Sequence, residues 1–124
     1  MSVFLSPHEL SIARGIKSLP GFSYKIGLVF IDTNSGQQKR VTLTDTVWVK
    51  HIRERSDLVP DLSDSFLVGM LQSMLGWPEI QAVSEHVMVG HPSNKVFHKN
   101  PVIARAIGLY KLAKSKEVLN VTSL

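Results

Sequence analysis

Apolar and polar positions follow two rhythms along this chain, one helical and one strand-like, and the changes of rhythm mark its elements. "SPHE" at 6 to 9 is a capping box: Ser6 caps, Pro7 takes the first helical position and Glu9 reaches back. Leu10, Ile12, Ala13 and Ile16 continue as a helical stripe up to "SLPG". "FSYKIGLVFI" and "QKRVTLT" are rich in β-branched and aromatic residues and flank the turn-like "DTNSG", which predicts a β-hairpin. Thr44 is the expected N-cap of a helix carrying "DTVWVKHIRERS". Trp48 and Ile52, four apart, should face the core with Val49 beside them, and Pro60 ends or breaks that helix.

The clearest helix is "DLSDSFLVGMLQSMLG". Phe66, Met70 and Met74, with Leu67, Leu71 and Leu75, recur at three and four, and Gly76 supplies the stop. The stripe predicts core packing. "WPEI" starts a short turn or helix at Pro78. "AVSEHVMVG" and "KVFHKN" flank "HPSN" and predict a second hairpin. Asn100 should cap a helix with Pro101 at its first position, Ile103, Ala106, Ile107 and Tyr110 on its apolar side, and Arg105, Lys111 and Lys114 as its cations. The tail "EVLNVTSL" alternates like a final edge strand. The order predicts one α+β domain over residues 1 to 124, an antiparallel sheet packed against three to four helices.

At 124 residues and 44% hydrophobic content the chain can build its own core. It has no cysteine, which excludes a disulfide framework and thiolate metal sites and fits a reducing compartment. The N-terminus lacks the basic region and apolar run of a signal peptide, and "IGLVFI" is far too short to span a bilayer. The expectation is a cytoplasmic protein that does not enter the membrane. The net charge of +4 is unevenly spread: from Ser56 to Asn94 there is no Lys or Arg, but five acids, Asp57, Asp61, Asp64, Glu79 and Glu85. If the flanking basic segments meet, one face is cationic and the opposite one acidic, a distribution suited to phosphate or to a charged protein partner.

Candidate chemistry narrows by elimination. The five histidines show neither H-x-x-x-H nor HExxH spacing, and only His86, His91 and His98 could be drawn together by the second hairpin, so neither metal nor cofactor is expected. No phosphate loop, nucleophile elbow or cysteine nucleophile is present. What is left is acid–base chemistry at His51, which shares a helix face with Arg55, four residues on, with Lys50 and Glu54 beside them. Nearby guanidinium groups favour a neutral imidazole, suited to a general base, and could stabilise a phosphodiester transition state. Metal-independent RNA cleavage by the substrate's own 2′-hydroxyl needs nothing the sequence lacks. An exposed, salt-bridged helix face is the alternative for "KHIRER".

The stretch "VTLTDTVWVKHIRERSDL", with "LQSMLGWPEI" after a gap, resembles the barnase–EndoU–colicin–RelE class of ribonuclease-like domains, including its phage-associated branch. The likeness covers residues 39 to 99, about half the chain. It implies a structural Trp48, a catalytic His51 and Arg55 as phosphate or substrate ligand, with "KVFHK" bringing Lys95 or His98 to the site. Ser56 stands where that pattern often carries a second histidine, which leaves room for a member that binds without cutting.

Two readings follow. One is a small nucleic-acid-binding domain, RNA before DNA, working through His51 and Arg55 with Lys50, Arg53, Lys95, His98, Lys99, Arg105 and Lys111 as nucleic-acid contacts. The other is a non-enzymatic phage or mobile-element accessory protein that binds a protein partner, as inhibitor or assembly component. A cleft joining His51 and Arg55 to Lys95, His98 or Lys111 favours the first reading; a solvent-facing His51 favours the second.

Overall fold

The first helix, α1 (Pro7–Lys17), starts as its sequence predicts: the Glu9 amide donates to Ser6 Oγ and the Ser6 amide to Glu9 Oε1, at 3.2 and 2.9 Å. The computed structural model describes residues 4 to 122, the side chains of Ser35 and of residues 117 to 122 excepted. The α+β class holds, with four helices and two antiparallel three-stranded sheets. β1 (Val29–Asp32) and β2 (Lys39–Thr42) form the first hairpin, with Phe30 opposite Val41. A strand without a sequence signal of its own, β3 (Leu58–Pro60), pairs with the other edge of β1, so the order is β2-β1-β3. Pro60 closes an edge strand, where a missing N–H is tolerated. A 3-10 turn, Thr46–Trp48, leads into the short helix α2 (Val49–Glu54), which lies between β2 and β3 in the chain.

The long apolar helix is α3 (Ser65–Met74), capped by Asp64 rather than an earlier residue, and it buries Leu67, Val68, Met70 and Leu71. Phe66, expected inside, is 44% exposed, because the stripe of Leu67 and Leu71 already faces the core and Phe66 lies to one side of it. Gly76 does end the helix, at φ +77°: its amide donates to Ser73 O and that of Trp77 to Gln72 O, a Schellman closure.

The second sheet differs from the sequence reading in its turns. β4 (Ile80–Val83) and β5 (His86–Val89) pair across Ser84 and Glu85, so "AVSEHVMVG" is itself a hairpin, and β6 (Lys95–Val96) adds to β5 across 90–94. Val87, Val89 and Val96 pack on α4 (Pro101–Thr122), where Ile103, Ala106, Ile107 and Leu109 are buried. A Cβ at Gly108 would collide with Val89, so a side chain there would push sheet and helix apart. Asn100 caps α4 through the amides of Val102 and Ile103. The tail predicted as a strand is instead the end of α4, helical through Thr122; residues 123 and 124 lie outside the described residues. One buried cluster runs through both sheets and α1, α3 and α4.

Two polar contacts join distant segments. His98 Nδ1 accepts the Asn100 amide, so its Nε2 carries the proton that bonds Glu9 Oε2 at 2.5 Å, tying the entry of α4 to α1. Burial works to raise the Glu9 pKa, but bonds from Ser6 and His98 outweigh it and hold the carboxyl below its ordinary value. A depressed folded-state pKa stabilises the fold above the ordinary carboxylate range, and this is lost as pH falls through the lowered value. Glu9→Gln should therefore flatten the acid limb of a stability-versus-pH curve, measured by urea unfolding at stepped pH.

The second contact is Lys17, whose Nζ donates to the carbonyls of Ile52, Arg55 and Leu58 at 2.7, 2.6 and 2.7 Å. It closes the exit of α2 onto α1 and β3. Replacing it with Met removes the donor and leaves those carbonyls without it, for an expected loss of about 2 to 3 kcal/mol in chemical denaturation.

Candidate functional site

The site builds from the turn after β2. Asp45, not Thr44, supplies the cap: its carboxylate accepts the Val47 amide and opens the 3-10 turn. Trp48 ends the 3-10 turn and stands at the N-cap of α2, four residues before Ile52. Ile52 is buried and Val49 packs on the core, but Trp48 is 53% exposed, contrary to the expectation of a structural, inward-facing tryptophan. Its ring meets the exposed His51 ring edge-on at 6.1 Å.

Between α2 and the sheet lies a groove of about 320 Å³, with Val41, Asp32 and Leu58 on the sheet side and Trp48, His51, Ile52 and Arg55 on the helix side. His51 and Arg55 do come together here, with 3.4 Å between His51 Nε2 and an Arg55 terminal nitrogen. Arg55, however, is committed elsewhere. Its Nε and one terminal nitrogen grip the two Asp57 oxygens at 2.9 and 2.6 Å, and that same terminal nitrogen lies 3.4 Å from Asp32. A guanidinium already engaged bidentately offers little to a phosphodiester, and two carboxylates against one cation leave the groove floor without net positive charge. The Arg55 bonds, chiefly, hold the Asp57 carboxyl below its usual range.

The remaining sequence-predicted residues are spread over the molecule. Lys50 is exposed on α2. Arg53 faces the other way, its guanidinium 5.2 Å from the Tyr24 ring centre, beside a second cavity of about 420 Å³ that Arg14 and Lys17 also line. Lys95 is exposed on β6, His98 is bound to Glu9, and Lys99 and Lys111 are exposed on the α4 side. Arg105 lines a cavity between α3 and α4. None of Lys95, His98 and Lys111 lines the His51 groove. The three histidines of the second sheet also stay apart: His86 packs on Phe97, His91 bonds Ser93, and His98 bonds Glu9. Among the described residues no three His, Asp or Glu side chains converge as a metal site, and no helix is long and apolar enough to cross a membrane.

Three of the five acids of the predicted acidic face are engaged within the fold, while Glu79 and Glu85 are exposed. Asp57 pairs with Arg55, the buried Asp61 pairs with Arg40 at 2.8 Å, and Asp64 caps α3 while its second oxygen accepts the Val29 amide. Asp32, which lines the groove, and Asp57, which grips Arg55, are site residues that sequence reasoning missed. Asp57 stood two positions from Arg55, a legible signal once Arg55 is known to leave the helix with extended backbone; Asp32 reaches it only through the fold. No known protein family, curated protein or solved structure matches this chain.

Because the folded-state pKa of Asp57 is depressed, its pair with Arg55 is present above the ordinary carboxylate range and opens as pH falls through the lowered value. In Arg55→Ala the Asp57 carboxyl resonance should titrate at a higher midpoint than in wild type, read by carbon-detected NMR.

Proposed function

We propose that this chain is a non-catalytic binding domain for a protein partner, of the inhibitor or assembly-component kind, with the groove beside Trp48 and His51 as its docking site. The observation that carries this reading is the engagement of Arg55 by Asp57 and Asp32, which takes the guanidinium beside His51 away from a substrate phosphate. Three further features support it. The groove walls include Val41, Trp48, Ile52 and Leu58, suited to an apolar side chain. β2 is an edge strand with all four residues exposed, open to an extended partner segment adding alongside it. Lys39, two residues from Val41 and so on its face of the strand, and Lys50 on α2 are exposed, and neither has an ion-pair partner among the described residues. The occupant is thus an extended segment with an apolar or aromatic anchor flanked by acidic residues. The resemblance to ribonuclease-like domains fits this reading as a member that binds without cutting.

The test selects peptides on the purified domain from a random display library and measures their affinities. Selected peptides should share an apolar anchor between acids and bind Trp48→Ala at least tenfold more weakly, about 1.4 kcal/mol, with Trp77→Ala unaffected. Peptides indifferent to Trp48 would sink the reading. Labelled single-stranded RNA at low salt without divalent metal is the parallel arm: binding or cleavage lost in His51→Ala would replace a protein partner with RNA.

A further inference from the structure

Away from the His51 groove, α3 and α4 border an open cavity of about 370 Å³ beside β4. Its apolar wall is Val68, Ile80 and Val102; its polar groups are Arg105, Gln72 and Ser65. Arg105 is partly buried, and among the described residues it has no hydrogen-bond or ion-pair partner. A guanidinium that lines a cavity and has no counter-ion among the described residues is free to receive a bound anion.

The second observation is Gly69, in the middle of α3 and on the wall of this cavity. Glycine inside a helix costs about 1 kcal/mol against alanine. Here neither backbone nor packing requires it: Gly69 is not among the glycines of positive φ, and a Cβ built there meets nothing within 4 Å. Its effect is to leave space open. The same residue borders a second concavity of about 300 Å³, lined by Lys25, Phe66, Met70, Ser73 and Trp77, so a side chain at 69 would narrow both.

From these we infer that the α3–α4 cavity is a binding site for a carboxylate carried on an apolar body. The carboxylate lies against the Arg105 guanidinium, with Gln72 as a neutral donor, and the apolar body lies against Val68, Ile80 and Val102 over the space that Gly69 leaves. The volume is that of a small-ligand site. The residues are separate from the His51 groove, so the inference stands or falls apart from the docking reading above.

The test is NMR titration of the full chain with hexanoate and, as its uncharged match, hexanamide. Hexanoate should shift the Gly69 amide and the Arg105 Nε–H saturably, with hexanamide at least tenfold weaker. Arg105→Gln should abolish the effect. Gly69→Leu keeps the cation but fills the space, and should lose hexanoate while the rest of its spectrum shows an intact fold. The capped peptide acetyl-Leu-Glu-Leu-amide separates the two sources of the carboxylate. Binding at least tenfold tighter than hexanoate assigns the site to a glutamate of a protein; equal or weaker binding assigns it to a free acid. No saturable shift with either probe, or shifts that survive Arg105→Gln, would overturn the inference.

Discussion

The ammonium of Lys17 holds the arrangement on which the His51 groove depends. α2 has six residues, too few to be stable as a helix by itself, and its final carbonyls have no partner within the helix. Lys17 supplies donors to Ile52 and Arg55 at that end and to Leu58 on β3, and places a positive charge where the helix dipole is negative. Burial pushes the Lys17 pKa down and Asp57 works in the opposite direction. Asp57 therefore serves twice, binding Arg55 and favouring the charged form of Lys17. The groove is the space left between a helix fixed at its C-terminal end and the sheet that this contact anchors.

That arrangement explains why charge in the sequence did not become charge on a face. The acids between Ser56 and Asn94 read as an acidic surface, yet Asp57, Asp61 and Asp64 each take an internal role, as ion-pair partner or helix cap. The cations they engage, Arg40 and Arg55, are withdrawn from the basic inventory at the same time. Lys39, Lys50 and Lys95 stay exposed, on β2, α2 and β6. A count of charges along a chain therefore overstates the field at its surface wherever opposite charges lie close in the fold.

The legible parts of the fold were those whose cause is local. The capping box at Ser6, the Asn100 cap with Pro101 behind it, the Gly76 stop and the hairpin of β1 and β2 all follow from a few adjacent residues. The illegible parts have distant causes. β3 is three residues long and becomes a strand by pairing with β1, some thirty positions earlier. The tail alternates like a strand, but α4 is already nucleated and packed, and neither Gly nor Pro interrupts it between Leu109 and Thr122, so propagation continues. "HPSN" carried the stronger turn chemistry, yet the strands also reverse at Ser84 and Glu85, which have little turn signal of their own. Of the site, the pairing of His51 with Arg55 was legible at helical spacing, and the capture of Arg55 by two carboxylates was not.

The exposure of both tryptophans is the last consequence of that architecture. The core closes with Phe30 and aliphatic side chains such as Leu67, Leu71 and Leu109, all fully buried, while Trp48 and Trp77 stand 53% and 66% exposed. Tryptophan brings more apolar area than any residue in that core. Trp48 stands at the end of the 3-10 turn, and Trp77 follows the Schellman closure with left-handed φ. Single exposed hydrophobics need no explanation, but each of these lines a concavity together with a cation, Arg55 in one case and Lys25 in the other. Tryptophan is among the side chains in which interface energy concentrates. A fold that stabilises itself without its largest apolar side chains keeps them available for contacts with something else.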